Sequence, residues 1–262
     1  MNRNRIGELD FLKGLSILGV LVLHSSFAGR FNQQTMVVQA IMMRFFDWAV
    51  LGFFFSSGFL HDRSVPFLTT FKKRFVALMV PFFLYNLFYN LCFWGIAVTG
   101  LAPVGTLELT HQSLFSGLFW SPGFQLYFLP YLLLISVGIS GLEKLGGGRY
   151  QWAYGGLLLL IAAFYFVRGY PAISNGSDVN KLPMYLAMYL IGILYQPLFK
   201  LPGIKMWMIA VTLVAVLTTL VCFRFGEVSL LVPPLLLALA GVCPPLWHGN
   251  PLLRMGEMSG SI

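Results

Sequence analysis

Charged residues are scarce in this 262-residue chain: nine Asp and Glu, 17 Lys and Arg, together 10%. That scarcity leaves no room for a soluble domain of any size, because water-facing surfaces carry a far larger charged share. Cysteine is scarcer still. Cys92, Cys222 and Cys243 fall in apolar runs with no paired spacing, which argues against a disulfide framework and leaves three thiols acting as small hydrophobes. His61, His111 and His248 lie in loops at separations that suit no metal site. The chain also lacks an internal repeat and a low-complexity linker. Its net charge of +8 comes from basic residues scattered among loops, a pattern that points to membrane orientation and away from a nucleic-acid surface.

What the chain has in abundance is apolar side chains, 58% of the total, with a mean hydropathy of +0.78. A spanning helix needs about 20 largely apolar residues. The pattern predicts an all-α, polytopic transmembrane helix bundle of about eight spans, at 9–28, 41–60, 75–98, 124–142, 150–167, 182–199, 206–223 and 228–246. With the N-terminus in the cytoplasm, twelve of the 17 Lys and Arg fall on that side, four on the other, and Arg44 lies within a span. Lys/Arg bias in short loops sets orientation, so both termini are expected in the cytoplasm. The segment 99–123 has no Lys or Arg and carries Phe115, Leu118, Phe119 and Trp120, as an interfacial or re-entrant segment on the outer face would. Ser26-Phe27-Ala28 loosely fits a signal-peptidase site. Acidic residues in the leading region and seven later spans make a retained first helix the simpler reading.

Three ionisable residues interrupt the first span. At about 100° per residue, Asp10, Lys13 and His24 share one stripe, with His24 three turns beyond Lys13, about 16 Å along the axis. An ionisable group deep in hydrocarbon costs about 2 to 3 kcal/mol or more, so such groups face a protein interior, a cavity or a water path. Arg44 and Asp47, three apart, read as a structural ion pair at the outer interface.

The acidic residue, the basic residue after it and the His eleven positions further on resemble the opening helix of the acyltransferase-3 family of integral membrane acyltransferases. The resemblance continues at Gly52-Phe53-Phe54-Phe55-Ser56-Ser57-Gly58-Phe59-Leu60, similar to an aromatic-rich second span ending in Ser-Gly-Phe. It recurs at Leu126-Tyr127-Phe128-Leu129-Pro130 and at Tyr189-Leu190-Ile191-Gly192-Ile193-Leu194. Two departures stand out. The family places two basic residues three apart in the second cytoplasmic loop, before a Pro, whereas here Lys72-Lys73-Arg74 precedes Pro81 and Ala77 takes the second place. The family generally has about ten spans, and Gly256-Glu257-Met258-Ser259-Gly260-Ser261-Ile262 resembles the start of its penultimate helix. Residues 1–262 are therefore expected to form a single acyltransferase-3-like domain, incomplete at its C-terminal end.

The resemblance implies an O-acyltransferase of the inner (plasma) membrane. Such a protein moves an acyl group, usually acetyl, from acyl-CoA in the cytoplasm to a hydroxyl of a surface polysaccharide, glycan or lipid-linked acceptor. It implies no bound cofactor, acyl-CoA being a co-substrate. The expected partners are the lipid bilayer, the donor and the acceptor, with no nucleic acid. A hydroxyl becomes a good nucleophile when its proton is taken, and a His titrating near neutrality suits that task. His24 is the expected general base or transient acyl carrier. Lys13 would hold phosphate or thioester oxygens, with Asp10 positioning it. Lys72, Lys73 and Arg74 are candidates for the coenzyme phosphates, against the plainer reading of a positive-inside anchor. Ser57 and Tyr127 are candidates on the substrate side. Their plainer readings are close helix packing at Ser57-Gly58 and an interfacial aromatic. The rival functions are a polytopic proton-coupled transporter or flippase, with the ionisable stripe as its path, and an inactive truncated relative.

Overall fold

The computed structural model describes residues 7–25, 48–99, 126, 128–146, 150–168, 181–199 and 232–242. Among these residues the chain forms seven α-helices and no strand. They are α1 (Gly7–Ser25), α2 (Trp48–Phe59), α3 (Phe67–Val98) and α4 (Phe128–Gly146). Then come α5 (Tyr150–Arg168), α6 (Leu182–Phe199) and α7 (Val232–Val242). The span expected at 206–223, the Arg44–Asp47 pair, the segment 100–125 and the C-terminal motif at 256–262 lie outside the described residues.

Two helices, over Phe128–Leu145 and Leu182–Phe199, are long and apolar enough to cross a membrane by length and composition. A second observation points the same way. The outer face of α3 exposes a run of large apolar side chains, with Leu68, Leu84 and Phe88 75%, 60% and 66% accessible. An apolar face of that extent is a liability in water and ordinary against lipid tails.

The centre of the bundle is the seam between α2 and α6. A Cβ at Gly58 would lie 2.0 Å from the Tyr189 carbonyl oxygen, and one at Gly192 would lie 2.2 Å from the Phe55 carbonyl oxygen. Each helix thus lends a glycine to the other's backbone, and only glycine permits that approach. Around this contact Phe54 stacks on Tyr185 at 4.5 Å, Phe55 meets Tyr195 at 5.5 Å and Phe59 meets Phe199 at 5.6 Å. All three pairs use residues of the second half of α2, so the seam is centred toward the C-terminal end of that helix.

The remaining helices close around the seam. On α1, Ser16 sits against Gly52 of α2, where a Cβ would come within 2.2 Å of its hydroxyl oxygen. The start of α3 returns to the end of α4, Phe67 lying against Gly141. The Tyr195 hydroxyl donates to the Pro234 carbonyl at 3.0 Å and ties α6 to α7. With the bonds of Glu143 and Arg74 described below, the ends of α2 and α4 and the beginnings of α1, α3 and α5 come together at one end of the bundle.

The start of α3 differs from the sequence expectation. The span expected from residue 75 begins as a helix at Phe67, because the Thr70 N–H already bonds the Pro66 carbonyl at 3.0 Å. Helical hydrogen bonding does not end where hydropathy falls. Lys72, Lys73 and Arg74 are therefore on a helix, where successive side chains point about 100° apart, and not in a loop.

Candidate functional site

Two polar clusters occupy that end of the bundle. The first grows from α1. Asp10 and Lys13, one turn apart, face each other with Nζ and Oδ1 3.8 Å apart, and Lys13 is buried at 7% accessibility. Across from them the half-buried Arg74 of α3 donates from Nη1 to the hydroxyl of Ser57, near the end of α2. The Arg74 guanidinium is close enough for its charge to act on both the Lys13 ammonium and the Tyr189 phenol.

Gathering two cations where water is largely excluded is unfavourable unless an anion joins them. Of the three charged groups named, Asp10 alone is negative. The cluster is thus suited to hold a phosphate, or the oxygen of a polarised carbonyl, between Lys13 and Arg74. Helix periodicity divides the basic run 72–74: Arg74 turns inward while Lys72 and Lys73 stay exposed. Ser57 is brought into the cluster. His24 lies on α1 near its end, three turns beyond Lys13, but its side chain is outside the described residues. Tyr127 is outside them as well.

The second cluster is one that sequence reasoning missed. Glu143, near the end of α4, accepts three hydrogen bonds. They come from His61 Nε2 at 2.7 Å, Arg63 Nε at 3.1 Å and the Tyr154 hydroxyl of α5 at 2.5 Å. His61 Nε2 donates to the carboxylate, and Nδ1 lies 3.0 Å from the Tyr189 hydroxyl, accepting from it when the ring is neutral and donating to it when the ring is protonated. A loop histidine without metal-site spacing is in fact buried at 6% and joined through its ring to two helices, α4 and α6.

Carboxylate, imidazole and hydroxyl stand here in the order that activates nucleophiles. Yet Tyr189 has no accessible surface, so its oxygen is not placed to take an acyl group from a donor, and the network acts as a fastener. The only hint in the sequence was a carboxylate at the end of an apolar run. Its partners His61 and Tyr154 are 82 and 11 residues away and lie on other segments than its own helix, so helical periodicity does not relate them.

No group of three or more His, Cys, Asp or Glu side chains suited to a metal ion occurs among the described residues. A family model described as an acyltransferase domain, that of acyltransferase-3, matches residues 6–262. No curated protein and no solved structure matches the chain.

Proposed function

The chain belongs to the acyltransferase-3 family of membrane acyltransferases, and from that premise we propose that it is an O-acyltransferase of the inner (plasma) membrane. In this reading it uses acyl-CoA, with acetyl as the acyl group, and acts on a hydroxyl of a surface polysaccharide, glycan or lipid-linked acceptor. The observation that supports the reading is that Arg74, bonded to Ser57, lies close enough to the buried Lys13 for their charges to interact. Two cations so placed would suit an anion, at the end of the bundle that the Lys/Arg bias of the sequence predicts to be cytoplasmic and so open to a soluble, phosphate-bearing donor.

The chemistry follows from the spacing on α1. Lys13 and Arg74 hold the anionic part of the donor, Asp10 steadies Lys13, and the pantetheine arm runs along α1 toward His24, about 16 Å further. His24 takes the acceptor's proton, or carries the acyl group before passing it on. The new ester C–O bond forms as the thioester C–S bond breaks. The thiolate of coenzyme A leaves and takes up a proton. Lys72 and Lys73, exposed on α3, add long-range attraction for the donor. The eight-span arrangement with both ends in the cytoplasm completes the proposal.

The test is His24→Ala. Removing a general base costs about a hundred- to ten-thousand-fold in rate. Transfer of radiolabelled acetyl from acetyl-CoA to membrane glycans should fall by that factor while coenzyme A binding persists. Full transfer by the variant would refute the role of His24. Proton-coupled solute flux without transfer would replace the enzyme with a transporter.

A further inference from the structure

The turn between α2 and α3 is short and mostly solvated. Asp62, Arg63, Ser64 and Pro66 are exposed, and the local bonds within it run from Ser64 N and Oγ to Asp62 Oδ1 at 3.0 and 2.6 Å. His61 is the exception, buried at the root of the turn with both ring nitrogens engaged on other helices. Arg63, in the turn itself, reaches the same carboxylate. From this turn α3 departs, and two turns into α3 Arg74 comes back to Ser57, 17 residues earlier in the chain.

The geometry points to His61 and Glu143 as positioning residues for the acyl-CoA donor site. By pinning the α2–α3 turn to α4, α5 and α6, they set the angle at which α3 leaves, and so hold Arg74 against Ser57 and beside Lys13. The inference rests on the donor-site reading above. Neither residue touches the donor or the reacting atoms.

Three features support it. Glu143 gathers donors from the turn and from α5, so it ties the turn to the bundle and not merely to one neighbour. His61 reaches Tyr189, whose backbone carbonyl is the surface on which Gly58 rests, so the imidazole clamps α6 just where the α2–α6 seam is closest. The Arg74 charge acts on Tyr189, which places the clamp next to the group it would position. A carboxylate shared among three residues of two separate segments is costly to assemble unless the position it fixes has a use.

The experiment is a double-mutant cycle on coenzyme A binding to the full chain in detergent, with acetyl transfer measured in parallel. His61→Ala alone should weaken coenzyme A binding roughly tenfold and raise KM for acetyl-CoA with little change in kcat. In an Arg74→Ala background the same substitution should have almost no further effect, since the residue it positions is gone. Tyr189→Phe, which deletes only the hydroxyl partner of His61, should show the same coupling in smaller measure, and serves if His61→Ala does not insert. Equal effects of His61→Ala or Tyr189→Phe with and without Arg74, or unchanged donor binding in both, would overturn the inference while leaving the function standing. Failure of the unaltered chain to bind coenzyme A would overturn both.

Discussion

The two polar clusters at the same end of the bundle differ in how their charges are balanced. Around Glu143 the named charges are paired: one carboxylate accepts from a guanidinium, an imidazole and a phenol. Among the described groups named around Lys13, two cations meet with one carboxylate, and Arg74 turns to a neutral hydroxyl. A closed cluster fixes geometry, whereas a cluster with an excess of one sign leaves free energy to be gained by a ligand of the other. In the proposed function the donor is anionic, and the open cluster is the one suited to it.

The contrast breaks hardest at Glu143. Replacing it with Ala leaves His61, Arg63 and Tyr154 without their shared acceptor, and losing the charged acceptor of a part-buried network costs about 1.5 to 3 kcal/mol. Thermal unfolding in detergent should drop steeply, and an unchanged transition would show the closed cluster to be ornamental.

Lys13→Ala should behave in the opposite way. Loss of a hydrogen bond to a charged group is worth about 1.5 to 3 kcal/mol, so donor affinity should fall about ten- to a hundredfold. Stability should hold or rise, because a buried cation facing Arg74 has been removed. A destabilised protein with normal donor affinity would reverse the assignment of the two clusters.

Tyr154→Phe sharpens the comparison at smaller scale. It deletes one of the three donors to Glu143 and should cost about 1 kcal/mol of stability, with no direct effect on transfer per folded molecule. The smallest effect belongs to Lys72→Ala with Lys73→Ala. Exposed charges contribute about 0 to 1 kcal/mol and are screened, so coenzyme A binding should weaken only slightly, and only at low salt.

How much of this was legible beforehand depends on the reach of each interaction along the chain. The helix at 182–199 was readable to its ends, because an uninterrupted apolar run between polar segments leaves little choice of register. The start of α3 was not, because hydropathy marks where lipid begins and Pro66 marks where the helix begins. Asp10 facing Lys13 followed from helical geometry alone. Arg74 meeting Ser57 did not, since it depends on how a turn folds back. Gly58 and Gly192 could each be read as small residues in a membrane helix, but not as partners across one seam, 134 positions apart in the numbering. His61 looked idle for the same reason: its partners lie on α4 and α6, and only packing brings them together.

The account stands most directly on Arg74. Coenzyme A affinity, measured in detergent for Arg74→Ala beside the Lys72→Ala, Lys73→Ala double variant, separates the inward guanidinium from its two exposed neighbours in the basic run. The account predicts a loss of about tenfold or more for Arg74→Ala and close to the unaltered affinity for the double variant. Unaltered affinity in Arg74→Ala, with the loss appearing instead in the double variant, would contradict it.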